Sequence, residues 1–172
     1  AALYAARVKD EIHLDPYSAG IGNTNLPPLQ RYGLELEART SWQALQLSGA
    51  YTLAFARFTA GNYNGVDLDG KDVPLVPRHK VALNLAWQAS AVTKVTVSAN
   101  HVSRQYMDND ESNTLGVRIP AYTVVDARIE HRMGGWIWAA AVSNLFDEDY
   151  YTYAVRSNIT ADRYAVYPLA GR

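Results

Sequence analysis

The sequence predicts an all-β protein: an antiparallel transmembrane β-barrel segment, about seven strands of a larger barrel. Three observations predict it. Apolar and polar residues alternate with period two along most of the chain. Short and long connections alternate strictly. All four tryptophans lie beside the short ones.

The first strand spans about 2 to 14 and alternates imperfectly. Residues 31 to 42 are cleaner: Tyr32, Leu34, Leu36, Ala38, Thr40 and Trp42 share one parity, and Arg31, Gly33, Glu35, Glu37, Arg39 and Ser41 the other. Successive side chains of a strand point to opposite faces, so this strand is apolar on one face and charged on the other; a helix would mix the two sets. Residues 45 to 57 place Leu45, Leu47, Tyr51, Leu53 and Phe55 opposite Gln46, Ser48 and Thr52. Residues 79 to 88 place Val81, Leu83, Leu85 and Trp87 opposite Lys80, Asn84 and Gln88. Residues 93 to 104 place Val95, Val97 and Ala99 opposite Lys94, Thr96, Ser98 and Asn100. Residues 122 to 132 place Val125, Ala127 and Ile129 opposite Asp126, Arg128 and Glu130. A last strand, 136 to 144, alternates weakly.

The short connections are Gln43–Ala44, Ala89–Ala91 and Met133–Gly135; the long ones are about 15 to 29, 59 to 78, 105 to 120 and 145 to 170. Tight periplasmic turns and long extracellular loops alternate in this way in outer-membrane barrels. Trp42 and Trp87 end strands that enter short turns, and Trp136 and Trp138 follow one. All four therefore fall at one level, where amphipathic indoles form a periplasmic aromatic girdle. A soluble lipocalin-like barrel is the competing arrangement, but it would have to place the Glu35–Glu37–Arg39 face outward with no reason for one-sided loops.

Composition excludes several classes. Net charge is −1, from 16 basic and 17 acidic residues, so no basic surplus calls for nucleic acid. There is no cysteine for a disulfide framework or a thiolate zinc site. No apolar run reaches the roughly 18 residues of a membrane helix, a test blind to membrane strands. Seven strands leave two open edges, which lipid does not tolerate. The segment Tyr150–Val155 reads as part of a loop rather than an eighth strand. The chain thus reads as part of a barrel wide enough to hold a polar plug.

The stretch SNLFDEDYYTYAV (143 to 155), followed by YPLAGR (167 to 172), resembles the C-terminal barrel region of TonB-dependent outer-membrane receptors, the siderophore and cobalamin receptors. The motif residues are Asn144, Leu145, Phe146, Asp147 and Tyr150. Three more stretches are similar to that family's strands: LPPLQRYGLELEA (26 to 38), VPLVPRHK (73 to 80) and IPAYTVVDARIEH (119 to 131). Ala170 stands where the family often has proline. The resemblance implies a barrel of about twenty-two strands, with the earlier strands, the final strand and the N-terminal plug with its TonB box lying outside residues 1 to 172. It implies a Gram-negative outer membrane, lipid as surroundings, and the TonB complex as partner through the plug. The expected function is energised uptake of a metal chelate, foremost a ferric siderophore. Cobalamin, another metal complex, or a passive porin-type channel are the alternatives.

No catalytic residues or cofactor are expected. His101 and Ser103 share a face, but no acid shares it nearby to orient the histidine. Ligand contacts are expected on the loops, from Tyr106, Arg118, Tyr151, Tyr153, Arg156, Arg163 and Tyr164, with Tyr17 and Tyr63 on the remaining two loops. Aromatics supply stiff apolar area, and Arg forks onto carboxylates and catecholates. The same residues also suit loop-on-loop packing. Asp108 and Asp110 offer hard oxygens for Ca²⁺, against the simpler reading of a solvated acidic loop. His13, His79, His101 and His131 show no ligand spacing.

Overall fold

The computed structural model describes residues 1–15, 22–160, 162–169 and 171; Tyr17 and Ala170 lie outside them. Thirteen strands are assigned among these: β1 (Ala2–Val8), β2 (Ile12–Leu14), β3 (Asn23–Asn25), β4 (Leu29–Trp42), β5 (Leu45–Phe58), β6 (Asn62–Tyr63), β7 (Val66–Asp67), β8 (His79–Gln88), β9 (Thr93–Val102), β10 (Tyr122–Met133), β11 (Trp136–Val142), β12 (Tyr151–Arg156) and β13 (Tyr164–Pro168). No helix occurs among the described residues. Seven strands form one antiparallel sheet in the order β1-β4-β5-β8-β9-β10-β11, a meander with each strand beside its sequence neighbour.

The registers sort the side chains as the alternation predicts. On one face Leu34 lies opposite Leu53, Leu47 opposite Leu85, Leu83 opposite Ala99, and Val97 opposite Ala127. On the other Glu37 meets Ala50, Arg39 meets Ser48, Asn84 meets Ser98, and Lys94 meets Glu130. The polar face bounds a concave space of about 670 Å³ lined by Glu37, Arg39, Ser48, Asn84, Ser98 and Asn100. The apolar face stays exposed, with Leu3 at 84% and Leu83 at 48% of full accessibility. A contiguous uncovered apolar face is foreign to a water-soluble monomer and normal against lipid.

The tight turns lie at the β4–β5, β8–β9 and β10–β11 junctions. Gly134 enters the last with φ +60°, a conformation a two-residue turn demands and a side chain resists. At that end Leu45 bridges Trp42 and Trp87, and His131 pairs with Trp138. All four tryptophans share the apolar parity and are exposed.

Two sequence expectations need correction. The first strand does not run from 2 to 14: Asp10 takes φ +57°, and β2 turns away to pair with β3. Within the long connections, β2–β3, β6–β7 and β12–β13 form separate hairpins. Tyr151–Arg156 is therefore a strand, though it is not an eighth member of the sheet. Tyr4 lies on the polar face, opposite Gly33, which accounts for the imperfect alternation that the first strand shows.

The buried core sits at the loop end. Leu26, Leu29, Ala56, Phe58, Leu68 and Val73 form one cluster, which seats the β6–β7 hairpin on the ends of β4 and β5. Met107, Leu115, Ile119 and Ala154 form another, with Leu75 and Tyr151 against it. The loops thus have cores of their own, which positions their polar residues.

Candidate functional site

The loops at one end of the sheet are knitted into a single layer. Asp108 joins β12 by two backbone bonds: its N–H donates to the Ala154 carbonyl at 2.9 Å, and its carbonyl accepts from the Arg156 N–H at 2.8 Å. Asp110 is fully buried. Its Oδ1 accepts from the Thr114 and Leu115 amides at 3.0 and 3.2 Å, and from Arg156 Nη1 at 2.8 Å. Burial pushes the Asp110 carboxyl above its ordinary range, opposed by those three donors. Asn113 bonds reciprocally with the Asp72 backbone, at 2.8 and 2.9 Å, and so ties the β7–β8 loop to the β9–β10 loop. Asp72 also accepts from Arg57 at 2.9 Å and Arg78 at 3.4 Å.

The expected ligand residues divide into three groups. Arg156 and Tyr151 face inward, one onto Asp110 and the other onto the Met107 cluster. Both hold the loop layer together. Tyr106 and Arg118 meet, with the Arg118 guanidinium 3.9 Å from the Tyr106 ring centroid and donating to its hydroxyl. They border a cavity of about 480 Å³ with Phe55, Arg57, Arg78 and His79. Phe55 stacks on Tyr32 of the apolar face, so this cavity is built on the outer shoulder of the sheet. The third group is exposed on the β12–β13 hairpin: Tyr153, Arg163 and Tyr164, beside Tyr167 at 56% accessibility. Tyr153 donates to Asp108 Oδ2 at 2.6 Å, and burial, then that carboxylate, hold its phenol well above the ordinary range. Arg57 and Arg78 were not anticipated as neighbours of Tyr106. They belong to strand ends whose convergence a one-dimensional pattern does not show.

The motif residues have local work. Asn144 is buried with φ +50°, its N–H donates to Asp126 Oδ1 at 2.8 Å, and its side-chain amide brackets Glu148 through bonds of 2.9 and 3.0 Å. This turns the chain sharply away from β11. The Leu145 N–H continues the ladder to the Val125 carbonyl at 2.7 Å, Asp147 takes φ +56°, Phe146 is exposed, and Tyr150 packs on Tyr122 at 4.7 Å.

A two-faced antiparallel meander, tight turns at one end and a knitted loop layer at the other define the wall of an outer-membrane barrel. A family model described as "TonB dependent receptor-like, beta-barrel" matches residues 1–145. The chain belongs to the TonB-dependent receptor family, whose barrels lie in the outer membrane of Gram-negative bacteria. A curated relative, the ferrioxamine receptor of Yersinia enterocolitica, is 28% identical over 150 residues, which is 84% of this chain and 20% of that receptor. The chain thus spans about a fifth of that relative's length. Among solved structures, the ferric yersiniabactin uptake receptor of Yersinia pestis superposes with TM-score 0.72 at 19% identity, covering 98% of this chain and 26% of that one. A siderophore receptor of Acinetobacter baumannii gives 0.70 at 21% identity, covering 98% and 24%. Identities this low carry the fold alone.

Proposed function

We propose that the chain is a C-terminal part of the barrel of a receptor that takes up a ferric siderophore by TonB-dependent transport, with its loops forming part of the ligand vestibule. The single observation that favours a receptor over an open pore is the loop layer. The ion pair between Arg156 and the buried Asp110, with two small cores, fixes it, as pre-organised recognition requires and free diffusion does not. The ferrioxamine receptor is the sequence relative that supports iron-chelate cargo. The exposed residues Tyr153, Arg163 and Tyr164 suit this cargo: phenol rings pack on the chelate, and the guanidinium meets its anionic oxygens. Tyr106 and Arg118, on the outer shoulder, have a supporting place in this reading, and the barrel wall performs no covalent chemistry. The four tryptophans anchor the opposite rim in the lipid headgroups.

The test is equilibrium binding of a panel of ferric siderophores, cobalamin and free iron to the full-length receptor in detergent. Saturable binding of one ferric siderophore is expected, weakened at least about tenfold by Arg163→Ala with Tyr164→Ala. No binding by any panel member, together with open conductance in planar bilayers, would replace the receptor with a passive channel.

A further inference from the structure

The structure brings together three residues that the sequence keeps far apart. His13 lies on the β2–β3 hairpin; Asp108 and Glu111 lie on the β9–β10 loop. One ligand-capable atom from each lies within 4.8 Å of the other two. His13 Nε2 is buried and 3.4 Å from Glu111 Oε1, longer than a charge-assisted hydrogen bond, and no partner meets it in good hydrogen-bond geometry; the nearby Glu111 carboxylate holds the imidazole above its ordinary pKa. The Glu111 side chain is only 4% accessible. Its carboxylate faces His13. A carboxylate so enclosed is costly to bury without a compensating charge.

We infer that His13, Asp108 and Glu111 form a binding site for a divalent transition cation of the Zn²⁺ type, which clips the β2–β3 hairpin to the β9–β10 loop. Donor chemistry selects the ion. One imidazole with two carboxylates suits a borderline cation, whereas Ca²⁺ takes oxygen ligands in larger number. Two carboxylates and a neutral imidazole carry two negative charges, which a divalent ion cancels. Geometry agrees. Ligands about 2.1 Å from a tetrahedral metal lie about 3.4 Å apart; His13 Nε2 and Glu111 Oε1 already stand 3.4 Å apart, and the group as a whole, within 4.8 Å, needs to close by at most about 1.4 Å. Surrounding bonds orient the set: the Tyr153 hydroxyl holds Asp108 Oδ2 at 2.6 Å. Asp110, between the two acidic ligands in sequence, is instead engaged by Arg156 through Oδ1. Three protein ligands leave a position for water. The site meets the proposed chelate contacts only at Tyr153, through that hydrogen bond to Asp108, and its existence does not depend on them.

The experiment uses the full-length receptor in detergent, freed of metal with a chelator and dialysed against Zn²⁺, with Ca²⁺ in parallel. His13→Ala and Glu111→Gln are each expected to weaken binding of one Zn²⁺ at least about tenfold, and exposed Asp69→Asn to leave it unchanged. In the unaltered receptor, Zn²⁺ should slow amide exchange at Ile12–Leu14 and Asn109–Ser112; this readout stands even if a variant fails to fold. Unchanged exchange, Zn²⁺ affinity indifferent to both substitutions, or a preference for Ca²⁺ overturns the site.

Discussion

At the scale of single residues, Gly33 shows how closely the wall is built. A Cβ there would strike the Leu53 carbonyl oxygen of β5 and come within 2.6 Å of the Tyr4 hydroxyl, which crosses the glycine from β1. One obstacle is backbone and has no rotamer to escape into. Gly33→Ala is therefore expected to destabilise the full-length receptor by about 1–3 kcal/mol, read as a lower urea midpoint in detergent. Tyr4→Ala in the same chain should fail to restore it, since the carbonyl remains. Asn144 makes a different local demand: it combines a left-handed backbone with an amide that both donates to and accepts from Glu148. Asn144→Ala loses the bracket and adds backbone strain, together about 1–3 kcal/mol of local stability. Hydrogen exchange at Glu148–Tyr150 should accelerate, with the β4–β5 ladder unaffected; acceleration throughout the sheet would show that the turn supports more than itself.

At the scale of strands, the assignment of faces has a sharp consequence. Leu83 and Ala82 are adjacent in β8 and belong to opposite faces, Leu83 beside Ala99 on the apolar face and Ala82 beside Asn100 on the polar one. Leu83→Lys should cost about 2–4 kcal/mol in a reconstituted bilayer, and Ala82→Lys much less; equal penalties would refute the orientation of the sheet. This face assignment was legible in the sequence because a period of two is a local property: each strand from 31 to 132 states its own inside and outside. The seven sheet strands and their order followed from the alternation of turns and loops. The small hairpins β2–β3 and β12–β13 were not legible. They are short, lack clean alternation, and owe their form to contacts such as the Asp108–β12 bridge, made across more than forty residues. The same reason hid the loop layer. Arg156 looked like a ligand residue because its type suits ligands, yet it spends its charge on Asp110. His13 looked isolated because its neighbours are distant in sequence.

At the scale of the whole molecule, the edges decide what the chain can do by itself. The β1 and β11 edges of the sheet have no neighbouring strand among the described residues. In hydrocarbon each unpaired backbone group costs several kcal/mol, so a stable membrane wall requires further strands to close it. In water the same edges, beside an apolar face that includes Leu36, Leu47, Leu83 and Leu85, are templates for association. The 172-residue chain, purified without the rest of a barrel, is therefore expected to aggregate in detergent-free buffer, and size-exclusion chromatography with light scattering would show material far above one chain's mass. A monodisperse, detergent-free monomer would mean that the apolar face is covered in some other way, and would undo the lipid-facing assignment itself. The tryptophans sharpen the point for the assembled receptor. Placed at one level by the register, they should be quenched more strongly by bromines near the headgroup end of the lipid chains than by bromines at the bilayer centre. Stronger quenching from the centre would put the tight-turn end within the hydrocarbon. That would contradict both the girdle and the strand lengths that place it.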